Sequence, residues 1–157
     1  MGVARDNGSM KLQLLSDLHL ETHPNFEVTP APGADLLVLA GDIGSYQAGS
    51  RLEDTLYGLA RFSPRHGWPV PVLYVPGNHE YDNDDFDAVH LRLREACDQL
   101  DIRWLESESL LIDGVRFIGS SLWTDFDALV DPKEPMTEQL KKRGKAMRAA
   151  NYYLSTC

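Results

Sequence analysis

Residues 70–80 read VPVLYVPGNHE. Val70 to Val75 is rich in β-branched and aromatic side chains and predicts a strand, which Pro76-Gly77 then stops. Directly beyond the stop stand an amide, an imidazole and a carboxylate: Asn78, His79 and Glu80. The same arrangement occurs twice upstream. Lys11 to Ser16 predicts a strand carrying Leu12, Leu14 and Leu15, and it runs into Asp17-Leu18-His19. Asp35 to Ala40 holds a continuous apolar run typical of a buried parallel strand, and it runs into Gly41-Asp42. In an open α/β sheet, sites form outside the carboxyl ends of strands. Three polar clusters far apart in the chain are therefore expected to meet in space.

The remaining pattern supplies helices and a hairpin. Ser50 to Phe62 predicts a helix with Leu52, Leu56, Leu59 and Ala60 on one face, punctuated by Pro64 and Gly67. Asp84 to Leu100 predicts a second helix with an apolar stripe of Phe86, Val89, Leu93, Ala96, Cys97 and Leu100. The aspartates crowding its start favour the helix dipole. Asp113-Gly114 between Ser109–Ile112 and Val115–Gly119 is a two-residue hairpin signal. A last helix is expected from Thr137 to Leu154, weakened by Gly144. Strand and helix alternate, so the fold class is α/β with an antiparallel addition.

Composition bounds the rest. A chain of 157 residues with 43% hydrophobic and 25% charged residues suits one globular domain. Residues 1–10 are expected to be a disordered extension and residues 11–157 a single domain. No apolar run is long enough to span a bilayer, so no membrane is expected. The net charge of −9 argues against nucleic acid, because Lys and Arg supply the affinity for its phosphates. It leaves phosphate substrates open where metal ions supply the positive charge. Cys97 and Cys157 lack metal-type spacing, and Cys97 falls on an apolar helix face, which suggests a reduced, cytoplasmic setting. No glycine-rich nucleotide loop is present, and Ser120 and Ser121 have no His-Asp partner pattern.

The three clusters have the chemistry of metal ligands. Asp17 and His19 are two residues apart, so on a continued strand they point to the same side. A carboxylate with an imidazole suits manganese, iron or zinc. Gly41 lets the backbone turn tightly before Asp42, whose two oxygens are able to bridge two ions. Asn78 offers a neutral oxygen for a second ion, and His79 is placed to face a substrate. Read singly, each fragment is turn chemistry. Read together, in order and each at a strand end, they point to metal. His23 follows the first cluster and either lines the cleft or stands in a solvated loop. His66 reads as surface and His90 as the flank of its helix. The run Lys141, Lys142, Arg143 and Lys145 reads as the solvated face of the last helix.

DLHLE at Asp17 to Glu21, AGDIG at Ala40 to Gly44 and PGNHE at Pro76 to Glu80 resemble the first three motifs of the calcineurin-like metallophosphoesterases. LWTDF at Leu122 to Phe126 is similar to a bacterial branch of that family. The resemblance implies the N-terminal portion of a four-layer α/β/β/α sandwich around two divalent ions of manganese, iron or zinc. It implies that Asp17 and His19 bind the first ion, Asp42 bridges, and Asn78 binds the second. His79 would contact the phosphate and help the leaving group, with Glu80 behind the site or orienting His79. The implied reaction is hydrolysis of a small phosphate mono- or diester by metal-bound hydroxide. The family pattern continues with a further metal-binding histidine and a Gly-His-x-His motif. This sequence has histidines at 19, 23, 66, 79 and 90 and none later. A C-terminally truncated domain is the resulting expectation. Its alternatives are a metal- or phosphate-binding remnant without turnover, or an interaction module that self-associates through an exposed sheet edge.

Overall fold

The computed structural model describes residues 9–52 and 56–154. Of the extension expected over residues 1–10, residues 1–8 lie outside them, as does Cys157. The chain divides into two compact units, Met1–Ser121 and Leu122–Cys157.

In the first unit, β1 (Leu12–Leu15), β2 (Leu36–Ala40), β3 (Val72–Val75) and β4 (Arg103–Trp104) form one parallel sheet in that order. Alternation along each strand splits the side chains between two faces. Leu37, Leu39, Val72 and Tyr74 join one core with Val89, Leu93, Cys97 and Leu100 of helix α1 (Phe86–Leu100). Leu36 and Leu73 face the other way and join Leu105. Against these pack Leu110 and Ile112 of β5 (Glu108–Ile112) and Phe117 of β6 (Val115–Gly119). The layers run helix, parallel sheet, hairpin, which is the α/β class expected from the alternation. β1 is an edge strand, and Leu12 and Leu14 on it stay exposed.

Local chemistry sets the boundaries. The Asp85 carboxylate accepts from the Ala88 N–H at 3.0 Å, so α1 begins at Phe86, two residues later than the aspartate run suggests. Between β5 and β6, Asp113 and Gly114 have φ of 46° and 81°. That pair of left-handed residues makes the two-residue turn and sets Ile112 opposite Val115.

The helix expected over Ser50 to Phe62 is corrected. Its described residues form only a 3-10 turn, Leu59–Phe62, and a second such turn follows at Pro64–His66. Tyr57 and Gly58 take φ of 55° and 73°, and a helix does not pass through two left-handed residues. Gly58 is needed there, because a Cβ would stand 2.7 Å from Leu20 Cδ1. Leu52, Leu56, Leu59 and Ala60 still reach the core. Their spacing reported a buried side of the segment, and loop plus 3-10 turn satisfies it. β4 escaped the sequence because two residues carry no periodicity.

The second unit carries α2 (Met136–Leu154), which accommodates Gly144. Three residues of its basic run are paired. Arg143 clasps Asp127 through two nitrogens, and Lys142 and Lys141 meet Glu134 and Glu138, both at 2.7 Å. Among the described residues, no helix is long and apolar enough to cross a membrane.

Candidate metal centre

Beyond its last paired residue, β1 continues to follow β2. The Asp17 N–H donates to the Gly41 carbonyl at 3.0 Å, the His19 N–H to Asp42 at 3.1 Å, and the Leu20 N–H to Ile43 at 3.0 Å. The path is strained. Asp17, His19 and Asp42 have φ of 54°, 45° and 52°. Each such non-glycine residue costs on the order of 1–3 kcal/mol and persists only where its surroundings over-determine it.

Two features hold that path. First, the loops after β2 and β3 touch through glycines. A Cβ on Gly41 would stand 2.8 Å from Gly77 Cα, and one on Gly77 would stand 2.1 Å from Asp42 Oδ1. Second, Glu80 is 1% exposed, and its carboxylate accepts three backbone N–H groups. These are Ile43 at 2.7 Å, Gly77 at 2.8 Å and Asp42 at 3.1 Å. Burial pushes the Glu80 carboxyl above its ordinary pKa, and the three N–H bonds pull against that rise.

His79 follows Gly77 into a short 3-10 turn, His79–Tyr81, and its N–H donates to Asp42 Oδ1 at 3.0 Å. The result is a convergence. Ligand atoms of His19, Asp42 and His79 lie within 4.8 Å of one another. The two imidazoles meet edge to face with centroids 5.0 Å apart. Metal bonds of about 2.0–2.2 Å put donor atoms around one ion within roughly 4.4 Å of each other, so a small inward shift suffices. The donor set, two imidazoles and a carboxylate, fits a divalent transition ion.

Each imidazole also has a carboxylate at its Nδ1. His19 Nδ1 lies 3.0 Å from Glu21 Oε1, and His79 Nδ1 lies 2.6 Å from Asp82 Oδ2. A carboxylate only accepts, so each Nδ1 is the donor, and in a neutral ring the lone pair then sits on Nε2. Burial opposes charge on the His79 ring. The Asp82 hydrogen bond and the charges of Asp82, Asp42 and Glu21 outweigh it and hold His79 above the ordinary histidine pKa.

The expected site residues divide as follows. His19, Asp42 and His79 come together. Asp17 is exposed and tied to Gly41 through its backbone, and its carboxylate is not one of the three. Asn78 is exposed at the start of the turn, and its side chain makes no capping bond there. His23 is exposed and bonds back to Thr22 and His19 of its own turn. Glu80 stands behind the Asp42 loop, but it does not orient His79. Asp82 makes that bond. Glu21 and Asp82 are the residues that reading by motif passed over. Their signal is a carboxylate two or three positions after a candidate histidine. His90 packs instead with Tyr81, Phe86 and Trp104.

Known proteins resemble this chain at the level of sequence. The family model for calcineurin-like phosphoesterases matches residues 10–145. An uncharacterized protein of Acanthamoeba polyphaga mimivirus is 36% identical over 63 residues, covering 34% of this chain. The match spans 21% of that protein's own length.

Proposed function

The chain belongs to the calcineurin-like phosphoesterase family, and from that premise we propose that it hydrolyses small phosphate mono- or diesters with divalent metal ions. The observation that carries this reading is the approach of His19, Asp42 and His79 to within 4.8 Å at the carboxyl ends of parallel strands. When bound, divalent ions lower the pKa of water and offset phosphate charge.

The residues divide the remaining work. His19 and Asp42, with Asp17 as a further donor, would hold a first ion, and Asp42 with Asn78 would hold a second. Manganese, iron and zinc suit these donors. His79 faces the substrate phosphate. Its raised pKa keeps it protonated to higher pH than an ordinary histidine, so Nε2 can donate to the leaving oxygen. Without cations, the carboxylates of Asp17 and Asp42 repel the substrate, so the ions serve binding as well as attack. The buried Cys97 thiol agrees with a reducing, cytoplasmic setting.

The test is hydrolysis of bis(p-nitrophenyl) phosphate with and without manganese. Turnover that appears with the ion and vanishes with chelator supports the proposal. A second reading, binding without turnover, draws on the three-residue donor group His19, Asp42 and His79 among the described residues. It predicts tight manganese binding with no release of nitrophenol.

A further inference from the structure

Two glutamates at this end of the sheet are each 1% exposed, Glu80 and Glu21. A buried carboxylate is costly unless its lone pairs are used. Glu80 uses them on three backbone N–H groups, which is what a staple between loops requires. Glu21 is employed differently. It takes one backbone N–H, from Ser45 at 3.2 Å. Its Oε1 serves two side chains, His19 Nδ1 at 3.0 Å and Gln47 Nε2 at 3.3 Å. A loop staple has no need of an imidazole.

The chain around Glu21 is itself held, because its carbonyl accepts the Arg51 N–H at 2.9 Å. The carboxylate is therefore a fixed point in the protein frame. The His19 ring is only part-buried, with 30% of its side chain exposed, and among the described residues it meets the His79 ring at 5.0 Å. Among these contacts, the bond to Glu21 is the one that selects a ring nitrogen. Carboxylates placed behind metal-binding imidazoles fix the tautomer and raise the basicity of the opposite nitrogen.

We infer that Glu21 is a positioning residue for metal uptake: it holds the His19 ring with Nε2 unprotonated and aimed at Asp42 and His79. The inference rests on the proposed reading that His19 holds an ion. It adds a residue that touches neither ion nor substrate, and it ties that residue to a measurable state of the metal-free protein.

The experiment uses the full chain, first without metal. Nitrogen-15 spectra of the histidines report which ring nitrogen carries the proton, with His19→Gln used to assign the signal. The expected result is His19 as the Nδ1–H tautomer, passing to a tautomer mixture in Glu21→Gln. Cobalt(II) titration, followed by visible absorption and calorimetry, should show affinity about 10–100-fold weaker in Glu21→Gln. Gln47→Ala removes a neighbouring bond of Glu21 and spares His19, so it should leave tautomer and affinity unchanged. It separates ring positioning from general loosening of the loop. An Nε2–H tautomer in the wild-type protein overturns the inference without any variant having to fold. Tight cobalt binding that is unaltered in a folded Glu21→Gln overturns it as well and leaves the metal reading of the site intact. No cobalt binding by the wild-type protein overturns both.

Discussion

The backbone N–H of His79 donates to Oδ1 of Asp42 at 3.0 Å, joining two residues that are 37 positions apart in the chain. The bond places the imidazole of one strand-end loop beside the carboxylate of the next. It also occupies one lone pair of Asp42 and leaves Oδ2 for another partner.

Asp42 therefore separates structure from chemistry. Asp42→Asn keeps an oxygen for the His79 N–H, while Asp42→Ala removes both. Both should lower metal-dependent hydrolysis of bis(p-nitrophenyl) phosphate by at least about 100-fold, or roughly 2.7 kcal/mol of barrier. Thermal unfolding without metal should shift clearly for Asp42→Ala and little for Asp42→Asn. Activity of Asp42→Asn within threefold or so of wild type would contradict the shared-ligand role.

Gly77→Ala should be more harmful than its size suggests. The added Cβ falls 2.1 Å from Asp42 Oδ1 and 2.6 Å from the Asp42 backbone nitrogen, so the loop must move. Overpacking of this kind costs about 1–3 kcal/mol. Gly114→Ala is the comparison. Its φ of 81° is unfavourable for alanine, but nothing lies within 4 Å of the new carbon. Both variants should lose stability in urea unfolding, and only Gly77→Ala should lose cobalt binding.

Glu80→Gln tests the staple. Three N–H groups point at the carboxylate, and the Gln amide must turn its NH2 toward at least one of them. A buried donor left unsatisfied costs about 1–3 kcal/mol. Equilibrium unfolding should register that loss, and hydrogen exchange should quicken at Asp42, Ile43 and Gly77. Unchanged exchange at all three amides would show that the loops are held without Glu80.

Cys97 offers a pH test away from the site. Burial pushes its thiol from 9.0 up to about 12. The folded protein then retains the proton over a range in which the unfolded chain has released it. The contribution is complete below pH 9, and stability falls by about 1.4 kcal/mol per unit as pH rises from there toward 12. Urea unfolding at pH 8, 9 and 10 should show a steeper decline for wild type than for Cys97→Ala, each in a Cys157→Ser background. In the same background, a thiol reagent at pH 8 should find Cys97 unreactive until urea unfolds the chain.

Patterns of short range were readable in the sequence. The apolar run at Leu36–Ala40, the stripe from Val89 to Leu100 and the Asp113-Gly114 turn each impose one local geometry, because side-chain period and turn dihedrals are properties of a few adjacent residues. The ordering of polar clusters at strand ends followed from the same reasoning. The segment from Ser50 to Phe62 shows where such reasoning stops. Its leucine spacing reports that one side is buried, and the left-handed Tyr57-Gly58 pair is what breaks a continuous helix ahead of the Leu59–Phe62 turn.

At the site, residue types were legible and their partners were not. That His19 and Asp42 are candidate metal ligands follows from the chemistry of imidazole and carboxylate groups. That Glu21 turns inward onto His19, and that Glu80 spans to Asp42 and Ile43, depends on burial and on contacts up to 38 positions apart. A carboxylate two residues after a histidine is free to face water in an open chain. Only the closed packing of the strand-end loops removes that choice, because each buried oxygen must find a donor within the fold.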